Sequence, residues 1–177
     1  MRVIVILSLF AFCMINLSAC GTTDIVRVSE TKLYKAEMIG VKQYRKGNYE
    51  QAFELLKQPA QMGYKGAQYV LAFMFLKGQY VEQSTVLGMG WLGVAKEADV
   101  KDWNTQFDNF YAAAPESLKT KIDAKVAQYI AQFGLKAQNV TCKKSLNTST
   151  KRVDVKCDNY DGIGQLYEIE MTETESL

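Results

Sequence analysis

The chain has 177 residues, with 21 Lys and Arg against 19 Asp and Glu, and no histidine. The missing histidine excludes any triad or dyad that uses one and any zinc site that needs one. The near-balanced charge, with no basic run, speaks against nucleic acid as a partner, because phosphate binding needs clustered Lys and Arg. Scattered acids such as Glu50, Glu54, Asp108 and Glu116 form no readable catalytic pair, and no cofactor or metal motif stands out.

The chain opens with MRVIVILSLFAFCMINLSA, in which Arg2 is the one charge and Val3 to Ile15 is nearly all apolar. That run has the length of a signal-peptide core and is short for a membrane span of about 20 residues. Leu17, Ser18, Ala19 and Cys20 follow. This resembles the lipobox of bacterial lipoproteins. The resemblance implies a diacylglycerol on the Cys20 thiol, cleavage after Ala19, and a chain held in the cell envelope by its acyl groups. In that family Gly21, rather than Asp, implies the outer membrane, with the folded part facing the periplasm. Residues 1–19 are thus expected to be a removed signal and residues 20–32 a tether. An ordinary secretory signal, with Cys20 a plain thiol, is the bland alternative.

Next come two helix pairs over residues 33–98. Ala36, Gly40, Val41, Tyr44 and Gly47 recur, thirty-one residues on, as Ala67, Leu71, Ala72, Phe75 and Gly78. The spacing puts these residues on one helical face, with glycine where a left-handed C-terminal cap is wanted. A second helix follows each. "NYEQAFELLKQPAQMG" starts at Asn48, a candidate cap with Gln51 bonding back, and carries Pro59, expected to kink it or end it early. "QYVEQSTVLGMGWLGVAKEA", with a connecting loop five residues longer, carries Gly88, Gly90 and Gly93, each costing about 1 kcal/mol against alanine in a helix. Residues 36–98 resemble Sel1-like repeats, which are related to tetratricopeptide repeats; "AQYVLAFMFLKGQYV" and "GMGWLGVAKEA" match best. Ala72 and Gly88 depart from that pattern. The resemblance implies a short α-solenoid and an adaptor or assembly role. A helical bundle with chance spacing is the alternative.

Residues 99–134 read as a divergent third pair that closes the stack. Trp103, Phe107, Phe110 and Tyr111 share one face, and Pro115 then opens a helix striped with Leu118, Ile122, Val126, Tyr129, Ile130 and Phe133. Stacked helix pairs make concave surfaces that bind peptides. Most aromatics belong to the packing, but Tyr44, Tyr69 and Phe73 are candidates for a partner groove.

Residues 135–177 turn to strands. β-Branched runs flank the polar "NTST", and setting Cys142 opposite Cys157 centres a hairpin on Ser149 and Thr150, with Leu146 opposite Val153. They are the cysteines left once Cys13 leaves with the signal and Cys20 takes lipid, and an exported chain favours their disulfide. "QLYEIEM" alternates as a third strand. The expected whole is mainly α with α+β character: helix-turn-helix repeats, then a small disulfide-stapled antiparallel sheet. The function expected is a lipid-anchored, non-catalytic interaction module for an envelope protein or peptide. The alternatives are a cell-wall-remodelling enzyme or its obligate activator, and a purely structural envelope lipoprotein.

Overall fold

The structure, a computed structural model, describes residues 24–148, 151, 153–159 and 161–173. Cys20, the signal and the hairpin tip at Ser149 and Thr150 lie outside the described residues. The described chain is mainly helical with a small antiparallel β part. Its elements run β1 (Asp24–Arg27), α1 (Glu30–Arg45), α2 (Tyr49–Gln61), α3 (Lys65–Lys77), α4 (Thr85–Ala95), α5 (Lys101–Ala113), α6 (Glu116–Phe133), β2 (Thr141–Leu146), β3 (Val153–Asp158) and β4 (Ile163–Leu166). Among the described residues no helix is long and apolar enough to cross a membrane.

The first and third helices end alike. Gly47 and Gly78 both have positive φ, +81° and +63°. The N–H one residue further on then reaches back five residues, Asn48 to the Gln43 carbonyl and Gln79 to the Met74 carbonyl. Only a residue free of Cβ takes that left-handed turn without penalty. The capping box expected at Asn48 does not form. Its side chain makes no cap bond and instead donates to Gln43 Oε1 at 2.8 Å. Pro59 sits in the last turn of α2, which ends two residues later. Ser29 and Ser84 cap α1 and α4, accepting from Lys32 and Leu87.

Helices α1 and α2 pack as one hairpin and α3 and α4 as another, with α2 against α3 joining them. The core runs through Leu33, Leu56, Leu71, Phe75, Leu87 and Trp91, all fully buried. The third pair departs from expectation. Helix α6 packs along α4, and it is tied to α5 through Tyr111, which donates to the Asp123 carboxylate at 2.9 Å. Close packing of α4 rests on its glycines. A Cβ on Gly88 would stand 2.6 Å from Leu76 of α3, and one on Gly93 would stand 2.5 Å from Val126 of α6. The residues that weaken α4 as an isolated helix are those that let two neighbours reach it.

The β part comprises two separate two-stranded sheets, β1–β4 and β2–β3. Strand β1 lies in the stretch expected to be a tether; Asp24 to Arg27 pair antiparallel with Leu166 to Ile163. The third strand expected over residues 165–171 does not join the hairpin, and residues 167–171 form no strand. Ile163–Leu166 pairs with β1 instead, and the chain beyond it crosses the helices. There the Tyr167 carbonyl accepts from Gln61, Glu170 pairs with Lys125 at 2.8 Å, and Glu173 accepts from Ser84. The β2–β3 hairpin has the expected register, Cys142 opposite Cys157 and Leu146 opposite Val153. Its cysteines form the disulfide, with Cα atoms 4.0 Å apart. A bridge closing a loop of about 15 residues stabilises by about 3 kcal/mol in the loop-entropy account.

Candidate functional site

A groove of about 950 Å³ opens on the face made by α1, α3 and the start of α5, with the β2–β3 hairpin as its far wall. Helix α1 supplies Tyr34, Met38, Val41 and Tyr44, and α3 supplies Tyr69 and Val70. The α1 residues are spaced three and four apart, which puts them on one face of that helix. Trp103 and Gln106 come from α5, and Val153 to Lys156 from the hairpin.

Aromatic contacts brace the groove. Tyr69 stacks on Trp103, with centroids 4.4 Å apart and planes at 17°, and its hydroxyl donates to Gln106 at 2.8 Å. Tyr44 leans on Tyr49 at 5.7 Å. Burial first, then the neighbouring Tyr49 and Tyr69, hold the Tyr44 phenol above its usual range. Two apolar side chains on the rim stay open to solvent, Tyr34 at 42% and Met38 at 55% exposure. Together with the braced aromatics and the charged rim, these two side chains make the groove the candidate binding surface.

The floor holds a carboxyl. Glu37 is buried between α1 and α3 and accepts from the backbone N–H groups of Gly66 and Ala67, the latter at 2.9 Å. These are orphan donors of the first turn of α3, so α1 caps α3 across the interface. A Cβ at Gly66 would lie 2.7 Å from the Glu37 carboxyl oxygen, so glycine is needed for the approach. Desolvation outweighs the two hydrogen bonds and raises the carboxyl to about 7.

Behind the floor lies a second polar knot. Lys65 is wholly buried, and its ammonium donates to Gln68 Oε1, the Val94 carbonyl and Glu97 Oε2 at 2.9, 3.2 and 2.8 Å. Glu97 also accepts from the Leu135 N–H, and Gln68 donates to the Ala60 and Phe133 carbonyls. The knot thus joins the ends of α2, α4 and α6 to the start of α3. Desolvation holds the Lys65 ammonium below its usual range, and the Glu97 carboxylate opposes it. With its donors and acceptors matched, this is a joint of the fold rather than a reactive centre.

Of the predicted site residues, Tyr44 and Tyr69 meet in the groove. Phe73 does not line it. It stands behind Tyr69 at 5.0 Å, contacts Phe110 at 6.3 Å, and borders a smaller apolar depression with Leu118. Cys142 and Cys157 staple the hairpin wall, and Cys20 lies outside the described residues. Sequence reasoning missed Glu37 and gave Trp103 to packing. Glu37 had a signal: it falls in the series Leu33, Glu37, Gly40, Tyr44, a lone acid on the packed stripe of α1. No group of three or more metal-ligating side chains occurs among the described residues. Comparison with protein-family models, curated proteins and solved structures gives no match to this chain.

Proposed function

We propose that this chain is a lipid-anchored, non-catalytic interaction module of the bacterial cell envelope, and that its groove holds a peptide of an envelope protein. The observation carrying the reading is the groove itself. Solvent-open Tyr34 and Met38 and the braced pair Tyr69 and Trp103 border one channel, with charged side chains at its rim. The anchoring half rests on the lipobox at Leu17 to Cys20. Two or more acyl chains hold durably, whereas one holds weakly. The outer membrane, facing the periplasm, is the location favoured by Gly21. The helix hairpins capped at Gly47 and Gly78 keep the degenerate Sel1-like resemblance as the leading account of the ancestry.

Capture from detergent-solubilised envelope, using the full chain, tests the binding half. One stoichiometric protein is expected with the native chain, and Tyr69→Ala is expected to lose it while staying folded. Equal recovery by both chains would remove the groove from the reading. Cys20→Ser tests the anchor. It should leave an unprocessed precursor, and normal maturation with membrane association would sink the lipoprotein assignment.

Glu37 favours a second reading, a wall-remodelling enzyme or its activator. A carboxyl near 7 on the floor of a groove suits proton transfer at neutral pH. Turnover of purified wall material by the pure chain, lost in Glu37→Gln, would establish that reading over the first.

A further inference from the structure

Strand β3 gives the groove a wall of a different kind from the helices. Side chains alternate between the two faces of a strand. Yet Val153, Asp154, Val155 and Lys156, four in a row, border the groove. Ser145, the β2 partner of Asp154, borders it as well, so the groove meets one face of the hairpin and also runs along β3 itself. The register says which backbone groups the outer edge of β3 offers. Cys142 and Cys157 are direct partners with Cα atoms 4.0 Å apart. That is the spacing of a non-hydrogen-bonded antiparallel pair, about 4.5 Å, rather than a hydrogen-bonded one, about 5.5 Å. Pair types alternate along the ladder, so Lys144–Val155 and Leu146–Val153 are of the same type. The N–H and C=O groups of Val153 and Val155 therefore point away from β2, and no partner for them occurs among the described residues.

Away from β2, the neighbours of β3 are α1 and α3. Lys156 of β3 reaches Glu30 of α1 at 3.8 Å and lies over the Tyr34 ring at 5.9 Å. Strand β2 is tied on the other side, where Lys144 binds Asp99 at 2.7 Å. Charge then selects among occupants. Lys156 is held by Glu30 and Asp158, but Lys42 and Arg45, on the last turns of α1, have no ion-pair partner among the described residues. Of the acids at the groove, Glu37 is buried as the cap of α3, Asp154 accepts from Asn147, and Asp102 sits in the first turn of α5 as Lys42 and Arg45 sit in the last turn of α1, each where a helix favours its charge.

We propose that the groove takes an extended segment of a partner protein, alternating apolar and acidic residues, as a third strand on β3. This rests on the groove reading above and adds the mode of binding. The backbone of the segment pairs with Val153 and Val155. Its apolar side chains enter the channel over Met38, Val41 and Val70, and its acids pass Lys42 and Arg45. Backbone pairing gives the affinity and the alternating side chains give the choice of partner.

The probe is a labelled octapeptide, acetyl-(Val-Glu)4-amide, titrated by fluorescence anisotropy against the full chain in detergent. It is expected to bind, and to protect the Val153 and Val155 amides from hydrogen exchange. N-methylation of alternate backbone nitrogens should weaken it about tenfold or more, since each methyl removes a pairing donor and leaves the protein untouched. The joint Lys42→Glu and Arg45→Glu change should shift preference to acetyl-(Val-Lys)4-amide. Binding that ignores N-methylation, or that survives both the charge reversal and Tyr69→Ala, overturns strand addition. No binding of the octapeptide, with a Tyr69-dependent envelope partner still captured, overturns strand addition and leaves the groove reading standing. Loss of both the octapeptide and the partner overturns the two together.

Discussion

Helices α4 and α5 follow one another in the chain and have opposite fates. Helix α5 is the better amphipathic helix on paper, with Trp103, Phe107, Phe110 and Tyr111 on one face. Helix α4 carries three glycines and almost no polar side chain. Yet every residue from Val86 to Ala95 is buried, while α5 buries none of its residues. An apolar stripe says that a helix has a face to cover; it does not say how much surface a neighbour brings. Helix α4 meets α3 on one side and α6 on the other, with glycine at both contacts. Helix α5 also lies against α4, but its aromatic face stays half open, covered in part by Tyr69, Phe73 and the Lys96 ammonium, which stands 4.3 Å from the Phe107 ring centre. The binding surface lies where coverage is incomplete, and the stability lies where it is complete.

Equivalent truncations in the two helices should therefore differ widely. Trp91 is fully buried against Tyr129 and Phe133. Trp91→Ala should cost about 3–5 kcal/mol by denaturant titration. A loss under about 1 kcal/mol would mean that α4 is not the centre of the core.

Next in size is Glu37, which tests whether the groove floor belongs to the buried region. Its folded value of about 7 lies above the ordinary 4.5. The folded state therefore binds the extra proton between these values. The stability contributed by the protonated carboxyl is fully present below about 4.5 and is lost as pH rises through 7. The loss amounts to about 3 kcal/mol. Urea midpoints should fall from pH 5 to pH 8 more steeply in the native chain than in Glu37→Gln. Parallel pH profiles would place the carboxyl in water.

Ala72→Leu probes the contact that the glycines make possible. Ala72 is fully buried, and its carbonyl lies 3.0 Å from where a Cβ on Gly88 would stand. Overpacking here should cost about 1–3 kcal/mol. An unchanged melting temperature would show slack between α3 and α4. The smallest effect belongs to α5. Phe110 is 43% exposed, so Phe110→Ala should cost no more than about 1 kcal/mol, since much of its apolar area is already in water. A loss as large as that for Trp91 would erase the contrast between the two helices.

The local features were legible. Helix ends at Gly47 and Gly78, the helix opening after Pro115, and the hairpin register all follow from residues a few positions apart, because caps, turns and period-2 alternation are nearest-neighbour chemistry. The cysteine pair was readable as well, since the hairpin brings its members face to face. Tyr44 and Tyr69, named as groove candidates because stacked helix pairs make concave surfaces, do line the groove, whereas Phe73, one turn beyond Tyr69, turns toward Phe110.

The tertiary structure decided everything that depends on which surfaces meet. Asp24 to Arg27 looks like a tether until Ile163–Leu166 comes alongside, and that pairing spans most of the chain. Tyr167 and Ile169 alternate like strand residues because one side is covered, yet helices cover it. Helix α6 chose α4 over α5 because Gly90 and Gly93 admit Tyr129 and Val126. Glu37 became a buried cap only when α3 presented its unpaired N–H groups. A sequence determines the backbone propensities of each segment and the chemistry of each face. Which face finds a partner depends on shape and volume summed over distant segments, and those exist only once the chain has packed.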